Sequence, residues 1–115
     1  MTDHVSHGKA ALLAVLQRHI GRRNGATVTQ LERALLDAGW IVTQRQIRKL
    51  VELLRLDGHH VCAHPRTGYY IAETAEELLE TCSFLHARAM TSLVQVARMR
   101  GVSVPDLRGQ LRLPT

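Results

Sequence analysis

The sequence predicts a mainly α fold of the α+β type: three short helices, a two-stranded hairpin and a long C-terminal helix. Three observations predict it. Capping-box patterns, a Thr followed three residues later by Glu or Gln, stand at Thr29–Glu32, Thr43–Gln46 and Thr74–Glu77, and each opens an apolar-periodic stretch. Residues 59–64 and 68–72 alternate as strands do, around a Pro65-Arg66-Thr67-Gly68 turn signal. Hydrophobic residues make up 45 % of the 115, enough for one core and too many for a disordered chain.

The first helix is expected from a Ser6 cap to about Ile20, with Leu12, Leu13, Leu16 and Ile20 on one side. Gly21 to Gly25 reads as a loop carrying Arg22 and Arg23. The second helix starts at the Thr29 cap, turns Leu31, Ala34, Leu35 and Ala38 to the core, and ends at Gly39 through a left-handed residue. Trp40-Ile41-Val42 is apolar and reads as core that sets the angle to the next helix.

The third helix, Thr43–Asp57, carries most of the information. At about one hundred degrees per residue, Ile47, Leu50, Val51 and Leu54 share one stripe. Arg45, Arg48, Lys49, Glu52 and Arg55 fall on the other side, with Gln44 near the cap. Arg and Gln near a helix start are the residue types that make bidentate contacts to base edges, whereas Lys49 and Arg55 suit phosphates. Glu52 reads a cytosine or braces a neighbouring arginine. In the hairpin, a four-residue loop would set Ala63 opposite Tyr70 and Val61 opposite Ala72, with Arg66 at the tip, where it reaches a minor groove or a phosphate.

Charge points the same way. The net charge is +5, carried by thirteen Arg and two Lys. Residues 1–72 hold ten of these against five acids, and the remainder balances with five of each. The half with the charged third helix therefore carries the whole surplus, the footprint of a nucleic-acid face.

The fourth helix is expected from the Thr74 cap to about Arg100, about 39 Å long. Its early acids and late arginines suit the helix dipole. Leu78, Cys82, Leu85, Ala89, Ser92, Val96 and Met99 form a heptad-spaced seam, and Leu79, Met90, Leu93 and Ala97 lie beside it. One stripe would pack on the domain and the other on a second copy of the chain; a helix that folds back or breaks near Ala89 or Thr91 is the alternative. Three segments result: a domain over 1–73, a dimerisation helix over 74–100 and a tail over 101–115, where Leu107, Leu111 and Leu113 dock on a neighbour or fray.

This order, with Gly68-Tyr69-Tyr70-Ile71-Ala72 running into a Thr-capped helix, resembles the small winged helix-turn-helix proteins of bacterial and phage genomes. The resemblance covers residues 8–80 or so. It implies double-stranded DNA binding through the third helix, placed here on Gln44, Arg45, Arg48 and Lys49, with Arg66 as wing residue; Thr43, Arg55, Arg22 and Arg23 are the further residues expected to contact DNA. The link from Gly39 to Thr43 is longer than in the simplest helix-turn-helix repressors. Expected is a homodimeric transcriptional regulator or phage accessory factor. The alternatives are a winged-helix module gripping an acidic protein surface and a metal-responsive regulator.

Other classes find less in the sequence. His60, Cys62 and His64 share a strand, and Cys82 and His86 stand one helical turn apart, but no CxxC fixes a tetrahedral site, so no metal is expected. There is no phosphate-binding Gly-rich loop and no G-x-S-x-G, so neither an enzyme, a cofactor nor a small-molecule ligand is expected. No apolar run is long enough for a bilayer and no leader pattern opens the chain, so a cytoplasmic protein with reduced Cys62 and Cys82 is expected.

Overall fold

The computed structural model describes residues 2–104, and side chains from residue 4 onward. The elements run α1 (Thr2–Leu16), a 3₁₀ turn (Arg22–Asn24), α2 (Val28–Asp37), α3 (Gln44–Leu56), β1 (Val61–His64), β2 (Gly68–Ile71) and α4 (Ala75–Arg100). By contacts the chain divides into Met1–Thr81, which takes in the first two turns of α4, and Cys82–Thr115.

In the first unit α1, α2 and α3 pack around one core. Leu12 and Leu16 of α1, Leu31 of α2, and Ile47 of α3 are fully buried there. All four residues of the α3 stripe are buried, as its periodicity predicts. Each fully buried aliphatic side chain contributes about 1.5–3 kcal/mol, so this contact dominates the cohesion of the helices.

Helix ends explain the differences from the sequence reading. α1 starts at Thr2 rather than at Ser6, since no proline or glycine before Ser6 stops it. It ends at Leu16, short of Ile20, because the next residues leave the helix to pair with β2. Ile71 N donates to His19 O at 2.9 Å and Gly21 N donates to Ile71 O at 2.8 Å. Ile20 is therefore 37 % exposed, not core. The cap of α2 is Thr27, not Thr29: Gln30 N donates to Thr27 Oγ1 and Thr27 N donates to Gln30 Oε1 at 2.8 Å. Ala26 exchanges both backbone hydrogen bonds with Tyr69, which holds the chain extended up to Thr27 and fixes where the helix begins. Thr27→Ala is expected to cost about 1 kcal/mol in urea denaturation, and more than Thr29→Ala. The reverse order would mean that Thr29 is the cap.

α2 and α3 end alike. Trp40 N donates to Leu35 O and Gly39 N to Leu36 O; His59 N donates to Leu54 O and Gly58 N to Arg55 O. These are Schellman ends, and they use Gly39 and Gly58 at φ 92° and 95°. Leu31 and Leu35 are buried as expected, but Ala38 is exposed in the C-terminal turn. Of the apolar triplet that follows, Trp40 and Val42 pack on the core while Ile41 is 89 % exposed, so the triplet is only partly core.

β1 and β2 pair antiparallel with Val61 opposite Ile71, Cys62 opposite Tyr70, Ala63 opposite Tyr69 and His64 opposite Gly68. The register is one residue from the expected one, because the loop holds three residues, Pro65 to Thr67, and Gly68 already belongs to the strand. A left-handed residue after a three-residue loop closes a hairpin in this way, and Gly68 has φ 94°.

α4 is one continuous helix from Ala75 to Arg100. Glu77 N donates to Thr74 Oγ1 at 3.2 Å, half of the expected box; the Glu77 carboxylate accepts instead from Glu73 N at 2.8 Å. In the second unit the covered stripe is the side one: Ala97 is buried and Met90 and Leu93 half-buried. Of the seam, Cys82, Leu85, Ala89 and Met99 are exposed and Val96 is half-buried, while Leu78, in the first unit, is half-buried. The leucines expected to dock from the tail, Leu107, Leu111 and Leu113, lie outside the described residues. Among the described residues, no helix is long and apolar enough to cross a membrane.

Candidate nucleic-acid interface

The charged side of α3 is presented by the burial of its other side. Thr43 caps the helix, accepting from Gln46 N at 3.1 Å, while Gln46 Oε1 accepts from Thr43 N at 2.8 Å. This box is the one the sequence announced. Arg45, Arg48 and Lys49 emerge exposed from the first two turns. Among the described residues, neither Arg45 nor Arg48 makes an ion pair, whereas Lys49 Nζ lies 3.4 Å from Glu52 Oε2. Glu52 thus braces Lys49 rather than an arginine. That pair is exposed on both sides and weak.

Gln44 is held in a way the sequence reading missed. Its Nε2 donates to Thr29 Oγ1 at 3.3 Å and to Glu32 Oε1 at 3.2 Å. A carboxylate only accepts, so the amide must turn its nitrogen inward. Gln44 Oε1 is then the atom left for an outside donor, and the bidentate role expected for Gln44 gives way to a single accepting one. Thr29 and Glu32 are available to Gln44 because Thr27 and Gln30 form the α2 capping box.

Two arginines are placed differently from expectation. Arg55 Nε donates to Val61 O at 2.8 Å, which ties the last turn of α3 to the first residue of β1. Arg22 Nη1 lies 3.1 Å from both carboxylate oxygens of Glu80, and its backbone N donates to Glu77 Oε2 at 3.0 Å. Both brace the frame of the hairpin rather than standing clear as phosphate contacts. Arg23 and Arg66 are exposed, Arg66 at the hairpin tip, where its backbone N donates to His64 Nδ1 at 3.1 Å.

The hairpin rests on the start of α4. Ala63 N donates to Thr81 Oγ1 at 3.4 Å, and Cys62 Sγ lies 3.7 Å from Glu77 O. Tyr70, opposite Cys62 in the hairpin, is fully buried, and that burial pushes its phenol above the ordinary value, so it stays neutral. The backbone N–H of Arg22, then that of Glu73, hold the Glu77 carboxyl below its usual range. Folding lowers this pKa, so Glu77 adds stability above the ordinary value near 4.5, and loses it as pH falls through the lower folded value. Glu77→Gln is therefore expected to flatten the acid limb of a stability-against-pH curve. An unchanged limb would show that these donors do not favour the charged form.

The residues weighed for metal do not gather. Cys62 is buried, His60 and Cys82 are exposed, His86 is exposed, and His64 is occupied by Arg66 N. Among the described residues, no three His, Cys, Asp or Glu side chains converge on a metal site. Compared with known proteins, the chain matches no family model, no curated protein and no solved structure.

Proposed function

We propose that this chain is a winged helix-turn-helix protein that binds double-stranded DNA sequence-specifically, with α3 in the major groove and the β1–β2 hairpin as its wing. One observation carries the reading: α3 buries Ile47, Leu50, Val51 and Leu54 completely or nearly so while its opposite face presents Arg45 and Arg48, without ion-pair partners among the described residues, and Lys49. A helix of that kind satisfies both demands of a groove-reading element, a rigid backing and forked donors for guanine edges. Gln44 Oε1 then accepts one bond from an exocyclic amino group, cytosine N4 or adenine N6. Arg66 at the wing tip and Arg23 meet phosphates, since neither has an internal ion-pair partner among the described residues.

The protein acts as a homodimer through α4, in the role of a transcriptional regulator or a phage accessory factor. The apolar side chains exposed on α4 support this: Met99 is 80 % exposed, Phe84 60 % and Leu85 38 %. Two copies would set Arg45 and Arg48 about 34 Å apart, one DNA turn, on a half-palindromic site.

Fluorescence anisotropy on a random-sequence duplex tests the binding itself. Affinity is expected to fall steeply as salt rises from about 50 to 200 mM, with a log–log slope set by the number of phosphates neutralised. No measurable binding at the low-salt end ends the reading. Salt-sensitive binding to an acidic protein surface with none to duplex would move it to a protein-interaction module.

A further inference from the structure

A groove of about 190 Å³ opens between α1, the α2–α3 turn and one edge of α3. Val5, Trp40, Leu50 and Leu53 wall it, and Gly8 lies in its floor. Gly8 is not among the glycines with positive φ, so its backbone does not require glycine. A glycine inside a helix also weakens that helix relative to alanine. A Cβ at Gly8 would meet Leu50 Cδ2 at 3.6 Å, an ordinary contact, so the glycine leaves open the space beside Leu50 that a longer side chain would take.

Lys49 is the charged side chain on the rim, and among the described residues no carboxylate lines the groove. The His4 ring lies 6.3 Å from the Trp40 ring, tilted by 47°. Among the described residues the Lys49 ammonium is engaged only by the exposed Glu52 pair at 3.4 Å, which an incoming anion can displace. Apolar walls with an indole face and a cation at the lip select a flat, apolar anion. We propose that this groove binds a small aromatic carboxylate, its ring between Trp40 and Leu50 and its carboxylate on Lys49.

The site stands independently of DNA binding; only its consequence rests on that reading. Lys49 belongs to the face of α3 assigned to DNA, so an occupied groove withdraws one cation from the phosphates. The ligand is expected to weaken duplex binding and reduce the salt slope by about one.

Trp40 is the only tryptophan in the chain and reports on its own wall. Benzoate titrated into the full chain is expected to change Trp40 emission saturably, with half-saturation below about 1 mM. Benzamide, the same ring without the charge, is expected to bind about tenfold more weakly. Lys49→Gln should bring benzoate down to the benzamide level, and Gly8→Leu should abolish the response. Val5→Phe fills the mouth from an exposed position and serves if Gly8→Leu fails to fold. No saturation by about 10 mM, equal binding of benzamide, or full response in a folded filled variant overturns the site. A saturable signal with unchanged duplex affinity overturns the coupling alone, and failure of DNA binding leaves the fluorescence result intact.

Discussion

Gly68→Ala is expected to destabilise the fold by about 3–5 kcal/mol, a large share of a small domain's stability. Two causes add. At φ 94° an alanine is strained by its own Cβ. That Cβ would also overlap the backbone of Ala26 and Thr27. The overlap cannot be relieved by a side-chain rotation, because Ala26 is fixed by both of its hydrogen bonds to Tyr69. Gly39 separates the two causes. It has φ 92°, yet nothing lies within 4 Å of a Cβ built there. Gly39→Ala should therefore show the strain alone, about 1 kcal/mol. Urea denaturation of both variants checks the comparison, with the midpoint shifted and the slope unchanged. Equal losses at the two positions would mean that β2 and residues 19–26 are not as closely joined as described.

The second large effect concerns DNA. Arg45→Ala and Arg48→Ala should each cost about 1–3 kcal/mol at the base pair that arginine reads. The double variant is expected to lose at least about thirtyfold on a selected site and to approach its non-specific affinity. Neither side chain is buried, and neither has an ion-pair partner among the described residues, so the melting temperature should hardly move. Lys49→Ala should instead weaken all duplexes alike and lower the salt slope by about one. Arg55→Ala should mainly affect stability, through the lost bond to Val61 O. Equal losses on all sequences for Arg45→Ala and Arg48→Ala would reduce them to phosphate contacts.

What was legible in the sequence depended on how local the signal was. α3 could be read because its cap, stripe and charged face all lie within thirteen residues, and every stripe residue is buried. The extent of α4 was legible from the Thr74 cap and the Gly101 stop. The cap of α2 was not, because Thr27–Gln30 and Thr29–Glu32 both fit the pattern. The choice is made at a distance, by Tyr69 holding Ala26. The same non-local pairing ended α1 early and gave residues 19–26 a place beside β2 that no alternation announces. The hairpin register slipped by one because a turn signal marks where the chain reverses, not which residue first pairs. In the candidate site, Arg45, Arg48 and Lys49 were legible by helical angle alone. Gln44, Arg22 and Arg55 were not, since their partners Glu32, Glu80 and Val61 lie on other elements.

Selection of bound duplexes from a random pool tests the central claim most directly. The account predicts enrichment of a recurrent motif with guanines at the positions read by Arg45 and Arg48. It also predicts two half-sites about one turn apart, and a preference over scrambled duplex of at least about a thousandfold at physiological salt. A pool that enriches no motif, while the protein remains folded and binds DNA only through charge, would contradict it.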